Sequence, residues 1–137
     1  MNNKKIMIIG GTGALGKSLT KRWNKNNKIL IFSRNEHKQE EMKNTFGEIQ
    51  YQIGDVKDKE SIKNCLFRFK PQIVINAAAL KHVPICEDDP FESVKTNIVG
   101  HQYLIDCVKE CRHQIKTLMF ISTDKACSPV NVYGMSK

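Results

Sequence analysis

Tyr133 and Lys137 stand four residues apart in the closing stretch "VYGMSK". On a helix this spacing puts both side chains on one face, where the ammonium can lower the pKa of the phenol. A phenol placed in this way can take the proton from an alcohol or sugar hydroxyl as hydride leaves the same carbon. Shortly before them, Thr123, Asp124 and Lys125 set a hydroxyl, a carboxylate and an amine in succession at the exit of the apolar run "TLMFIST". Taken alone, that triplet reads as a turn in which Asp124 caps and Lys125 is solvated.

A second group lies near the other end. "IMIIGGTGALGKSL" places Gly10, Gly11, Gly13 and Gly16 between an apolar strand and an amphipathic run. Two registers are nested there, Gly11-x-Gly13-x-x-Gly16 and Gly10-x-x-Gly13-x-x-Gly16. The glycines permit a tight turn and bring backbone N–H groups, including those of Ala14 and Leu15, close to a pyrophosphate at the positive end of a helix. A bound dinucleotide is therefore expected.

The end of the second strand selects among nicotinamide cofactors, an acid holding a ribose hydroxyl and an arginine pairing with a 2′-phosphate. "FSRNE" puts Ser33 and Arg34 at that point, which favours NADP with NAD as the alternative. Asp55, followed by Val56 at the end of the third strand, either meets the adenine or shares a helix N-cap with Asp58.

Positioning these residues requires an α/β frame. Strands are expected at 5–10, 28–33, 49–55, 72–78 and 117–123, and helices at 15–25, 36–46, 59–69 and 90–112. Strands alternating with helices imply right-handed crossovers and a Rossmann-type doubly wound parallel sheet of one domain, residues 1–137. The long helix opens on Asp88, Asp89 and Pro90. Phe91, Val94, Ile98, Tyr103, Ile105 and Val108 form its expected apolar stripe, and Gly100 in its middle points to a close packing contact.

Composition narrows the class. With 137 residues, 26% charged and 40% hydrophobic, the chain has the profile of a globular domain. No apolar run approaches the roughly 20 residues of a membrane span, and a cytosolic protein without a membrane partner is expected. The net charge of +8 is concentrated: the first 35 residues hold eight basic residues and no acid, while the rest balances at fourteen of each sign. Apart from Trp23, and Phe32 within an apolar strand, that stretch lacks aromatic interleaving, so a solvated helix face beside a phosphate site is expected and a nucleic-acid partner is not. Five cysteines without a C-x-x-C pair suggest neither a disulfide framework nor a zinc site; Cys107 and Cys111 are expected to pack half-buried on one helix face. His37, His82, His101 and His113 lack ligand spacing, and no metal is expected.

With the glycine loop, the βα units and Tyr133-x-x-x-Lys137 in place, the chain resembles the N-terminal half of an extended short-chain dehydrogenase/reductase. "GGTGALGK", "SRNEHKQEEM", "INAAALKHVPICEDDPFESVKTNIVG" and "FISTDKACSPVNVYGMSK" carry the resemblance further, to the inverting UDP-N-acetylglucosamine 4,6-dehydratase and polysaccharide-biosynthesis branch. Glucose-nucleotide dehydratases typically have Thr-Asp-Glu where this chain has Thr123-Asp124-Lys125. Membrane-anchored relatives usually have methionine at the position of Tyr133.

That resemblance implies roles. Tyr133, assisted by Lys137, would deprotonate the C4 hydroxyl of the sugar as NADP⁺ takes the C4 hydride. Lys125 would remove the C5 proton, Asp124 would protonate the departing C6 hydroxyl, and the hydride would return to C6. Thr123 would hydrogen-bond O4. Asn76 and Ala77, Ala78 and Ala79 would pass beneath the cofactor, and Lys81 and His82 would edge a nucleotide-sugar pocket. The resemblance further implies a homo-oligomer for the full-length protein. It leads to the expectation that these 137 residues are a fragment, that Lys137 lies in a frayed end without its helix, and that the piece alone is marginally stable and inactive. An epimerase or reductase of the same superfamily, which needs no acid-base pair at 124 and 125, and a non-catalytic NADP-binding protein are the alternatives.

Overall fold

The computed structural model describes residues 2–111 and 114–137. Its five strands are β1 (Lys5–Ile9), β2 (Lys28–Ser33), β3 (Gln50–Ile53), β4 (Ile73–Asn76) and β5 (Thr117–Phe120). They form one parallel sheet in the order β3-β2-β1-β4-β5. The chain thus starts in the centre and reverses direction between β3 and β4, which creates a crevice at the strands' carboxyl ends beside β1.

Alternation along β1 sends its side chains to two cores. Ile6 and Ile8 join Ile29, Ile31 and Ile75 under helices α1 (Ala14–Trp23) and α2 (Glu36–Phe46), where Leu19, Trp23, Met42 and Phe46 pack. Met7 and Ile9 join Leu30, Phe32 and Val74 under α3 (Lys59–Phe69) and a later helix, meeting Ile62, Leu66, Phe69 and Leu104. Both faces of the central strands β1, β2 and β4 are covered, as near-continuous apolar strands demand, whereas Met119 on the edge strand β5 is 48% exposed. Trp23 is half-buried and packs against the first of these cores.

Local caps define the helices. Asn35 accepts from the Lys38 amide at the start of α2, and Asp58 accepts from the Ser61 amide at the start of α3. The sequence also folds into a helix that its pattern did not announce, α4 (Val83–Asp88), six residues long with Pro84 in its first turn. Among the described residues no helix is long and apolar enough to cross a membrane.

The long helix differs from its expected form. Asp89 caps α5 (Pro90–Val94), a π turn follows at Lys95–Val99, and α6 (Gly100–Glu110) completes it; the expected end at Arg112, like His113, lies outside the described residues. The expected stripe is turned outward in its first half: Phe91 is 76%, Val94 39% and Ile98 48% exposed, and Tyr103, Ile105 and Val108 are half-buried. The inward face is Ser93, Thr96, Asn97, Gly100, Leu104 and Cys107. The reason lies in what this face meets, because its first half rests on loop backbone whose N–H and C=O groups require polar partners. Gly100 makes the anticipated close contact, since a Cβ there would come within 2.1 Å of Val56 Cγ2. Cys107 and Cys111 are fully buried in the core rather than half-buried, and desolvation pushes the Cys107 thiol up to about 11.

Candidate functional site

A cleft of about 430 Å³ opens at the carboxyl ends of the strands. Gly10, Gly13, Ala14, Leu15 and Gly16 form one wall, Ser33, Arg34, Asp55 and Val56 an end, Ala77, Ala78, Ala79 and Lys81 the floor, and Tyr133 and Lys137 the far side. These residues come from separate segments, joined by the strand order.

The glycine loop is shaped by contact as well as by turning. Gly10 has φ +72°, and a Cβ on it would fall 2.6 Å from the Ala78 nitrogen. Gly16 has no room for a side chain either, as its Cβ would lie 2.1 Å from the Gly11 carbonyl oxygen. Gly13 precedes α1 without a side-chain cap, and the first-turn amides of Ala14, Leu15 and Gly16 have no helical acceptor and face the cleft. Gly11, counted in one of the two registers, packs instead toward Ile31. The loop therefore offers N–H donors between glycines that carry no side chain, which suits a pyrophosphate.

At the end of β2, Arg34 pairs with Asp55 at 3.5 Å, and Lys57 lies 3.9 Å from the same carboxylate. Lys57 also bonds Glu92 at 2.7 Å, so the ion network runs from the cleft to α5. The two readings of Asp55 separate here: Asp58 alone accepts the helix amide, and Asp55 is left in the cleft wall, where it accepts from the Lys57 amide at 2.9 Å.

Tyr133 lies in a helical turn, α7 (Val132–Ser136), with Lys137 as its C-cap, where a frayed end without its helix was expected. The turn is held from outside itself, which isolated propensity does not anticipate. Asn131 accepts from the Gly134 amide at 2.8 Å, and Glu87 of α4 accepts from the Val132 amide at 2.7 Å. Lys137 Nζ donates to the Ile121 carbonyl at the end of β5, and burial lowers the pKa of its ammonium.

Thr123, Asp124 and Lys125 lie outside the cleft wall, Thr123 capping a short 3₁₀ turn (Asp124–Ala126) that follows the cleft-lining Ser122. Thr123 Oγ1 donates to Asp124 Oδ1 at 3.0 Å, and the Lys125 amide reaches the same oxygen at 3.0 Å. Led by the Thr123 hydroxyl and then by the Lys125 charge, these partners hold the exposed Asp124 carboxyl below its ordinary range. Asp124 is thus ionised at neutral pH and can deliver a proton only after this pairing is exchanged for another.

Gly134 ties the two groups together. A Cβ at this position would lie 2.1 Å from the Lys125 carbonyl oxygen, so α7 rests directly on the 3₁₀ turn. Gly134→Ala is expected to destabilise the chain by about 1–3 kcal/mol despite alanine's better helix propensity, because backbone must yield. Thermal denaturation checks this, and an unchanged or raised midpoint would show that α7 does not rest on that turn.

His82 is exposed at the boundary of α4 and does not line the cleft, whereas Lys81 does. Asn76 is buried beneath the floor, its Oδ1 accepting from the Ala78 amide at 3.1 Å. Sequence reasoning missed Thr12, Asn35, Lys38, Thr96, Ile121 and Ser122, all of which line the cleft. Thr12 lies inside the glycine loop, Asn35 and Lys38 follow Arg34, and Ile121 and Ser122 leave β5, so their neighbours signalled them. Thr96 had no such signal, because the π turn that aims it is a tertiary feature.

Residues 6–137 match the family described as polysaccharide biosynthesis protein. The chain is 48% identical, over 99% of its length, to a UDP-N-acetylglucosamine 4,6-dehydratase (inverting) of Campylobacter jejuni. It is 36% identical over 98% of its length to a UDP-glucose 4-epimerase of Rickettsia typhi. It covers 41% of each of these proteins, so it spans about two fifths of the length of the curated relatives it matches. Among solved structures, Pen from Bacillus thuringiensis superposes with a TM-score of 0.92 at 35% identity, covering 99% of this chain and 42% of that one. The Bordetella bronchiseptica enzyme WbmG, solved with NAD, shares the fold at a TM-score of 0.86 and 24% identity, over 99% of this chain and 47% of that one.

Proposed function

The chain belongs to the polysaccharide biosynthesis protein family of extended short-chain dehydrogenase/reductases, and from that premise we propose that it supplies the NADP-binding and proton-transferring half of a nucleotide-sugar 4,6-dehydratase acting on UDP-N-acetylglucosamine. The observation that carries the reading is structural. The glycine loop and the Tyr133–Lys137 pair line one cleft, and the Thr123-Asp124-Lys125 turn, outside its wall, is in backbone contact with the Tyr133–Lys137 turn through Gly134.

The pyrophosphate of the cofactor would lie on the amides of residues 13–16, the adenine against Asp55 and Val56, and a 2′-phosphate beside Ser33 and Arg34. When bound, the nicotinamide supplies a reversible hydride acceptor. Tyr133 would take the C4 hydroxyl proton, with the nearby Lys137 ammonium stabilising the phenolate. Lys125 would remove the proton at C5, Asp124 would carry one to the departing C6 hydroxyl, and Thr123 would hold O4. Lys81 and His82 would meet the substrate. A homo-oligomer in the cytosol is part of the same reading.

Arg34→Ala is expected to weaken NADP binding by roughly 10- to 100-fold while leaving NAD nearly unchanged, the loss of a charge-assisted bond to phosphate. Parallel titrations with the two cofactors check this. Equal weakening of both would mean that Arg34 only braces Asp55.

Loss of one water from UDP-N-acetylglucosamine, followed by mass in a full-length protein carrying residues 1–137, tests the function. A second reading, a UDP-sugar 4-epimerase, is supported by the 36% identity to the Rickettsia typhi UDP-glucose 4-epimerase and by the position of Asp124 and Lys125 outside the cleft wall. An epimerised product keeps the mass of its substrate, so the same experiment separates the two.

A further inference from the structure

Asn97 lies in the π turn, 3% exposed, and all three of its side-chain hydrogen bonds join other segments. Its Oδ1 accepts from the Leu80 amide at 2.9 Å, and its Nδ2 donates to the Leu80 carbonyl at 2.9 Å. The remaining Nδ2 hydrogen goes to Ser136 Oγ at 2.8 Å. Ser136 Oγ in turn donates to the Tyr133 carbonyl at 3.0 Å. Pairing with both backbone groups of one residue fixes the orientation of the amide, because a flip would set donor against donor and acceptor against acceptor. The donor to Ser136 is therefore fixed in direction.

The link joins two parts of the cleft. Leu80 directly follows the alanine floor, and Ser136 sits between Tyr133 and Lys137. The wide turn makes this geometry available, since Thr96 lines the cleft while its neighbour Asn97 is buried behind it.

We propose that Ser136 is a positioning residue, which clamps the Tyr133–Lys137 turn through Asn97 to the loop beneath the cofactor. The proposal rests on the reading of Tyr133 and Lys137 given above. Without the hydroxyl, Asn97 still bonds Leu80, so the floor stays in place while the turn loses its tie to that floor and keeps its Asn131 and Glu87 caps, the Lys137 bond to Ile121 and the Gly134 contact. The phenol and the ammonium then lose their fixed relation.

Ser136→Ala and Ser136→Thr in the full-length protein carrying this sequence test the clamp. Alanine is expected to lower kcat about tenfold with KM and cofactor dissociation within about twofold of wild type, and threonine, which keeps the hydroxyl, to restore it. Amide hydrogen exchange at residues 132–137, followed by mass, is expected to be about tenfold faster in the alanine variant and unchanged in the threonine variant. This readout needs no substrate, so it decides the clamp even if the wild-type protein leaves UDP-N-acetylglucosamine untouched and the functional reading fails. Wild-type exchange at residues 132–137 in Ser136→Ala overturns the proposal, whether kcat falls or not.

Discussion

Tyr133→Phe is expected to reduce turnover of UDP-N-acetylglucosamine by about 10²–10⁴-fold, the range that a positioned proton-transfer group contributes. The substitution removes one oxygen and leaves the ring, so the capped turn and the cleft wall survive. Cofactor affinity should change by no more than about threefold, since the glycine loop and Arg34 lie elsewhere in the cleft. Steady-state rates and a cofactor titration on the same preparation make the comparison. A variant that keeps more than a tenth of the activity would transfer the role of base to another group. Lys125 would be the first candidate, because it is half exposed on the turn that follows the cleft-lining Ser122.

Gly10→Val is expected to have the other large effect, on folding as well as on binding. Its φ of +72° disfavours any side chain, and the added Cβ would press on Ala78 nitrogen and Cα at 2.6 and 2.7 Å and on the Ala77 carbonyl carbon at 2.9 Å. All three are backbone atoms of the floor, so no rotamer change relieves the clash. Strain and overpacking together would cost about 2–6 kcal/mol and push the loop off the floor, with loss of measurable cofactor binding. Gly13→Ala is the matched control. Its Cβ would meet only the Gly10 carbonyl oxygen, at 3.4 Å, so stability should hold while a pyrophosphate is crowded. Equal thermal midpoints for Gly10→Val and wild type would show that the glycine is there for the ligand alone.

Much of this arrangement was legible because it rests on local signals. β2, α2 and α3 run over the residues expected from periodicity and caps. Gly10 and Gly16 announced the loop, and Gly100 a contact, because a missing side chain marks a place where something comes close. What escaped depended on partners far along the chain. The polar inner face of the π turn answers Leu80, 17 residues away, and the clamp on Ser136 spans 39 residues. Phe91, Val94 and Ile98 look like a core stripe by spacing, yet the backbone they would have covered needed hydrogen bonds that they cannot make. The capped turn of α7 was unreadable for the same reason, since Glu87 and Asn97 lend it stability that no five-residue segment has by itself.

The central place of β1 also has a consequence in time. Its first residues leave the ribosome early, yet Lys5 bonds Gln72 at the start of β4, 67 residues later. At about 5–20 residues per second, the side of β1 that meets β4 waits roughly 3–13 s for its partner. During that interval β2 gains β3 on its far side, while β1 has only β2 beside it and its other edge stays unpaired. Mutations that speed translation between residues 33 and 72 should therefore raise the soluble yield without altering the finished protein.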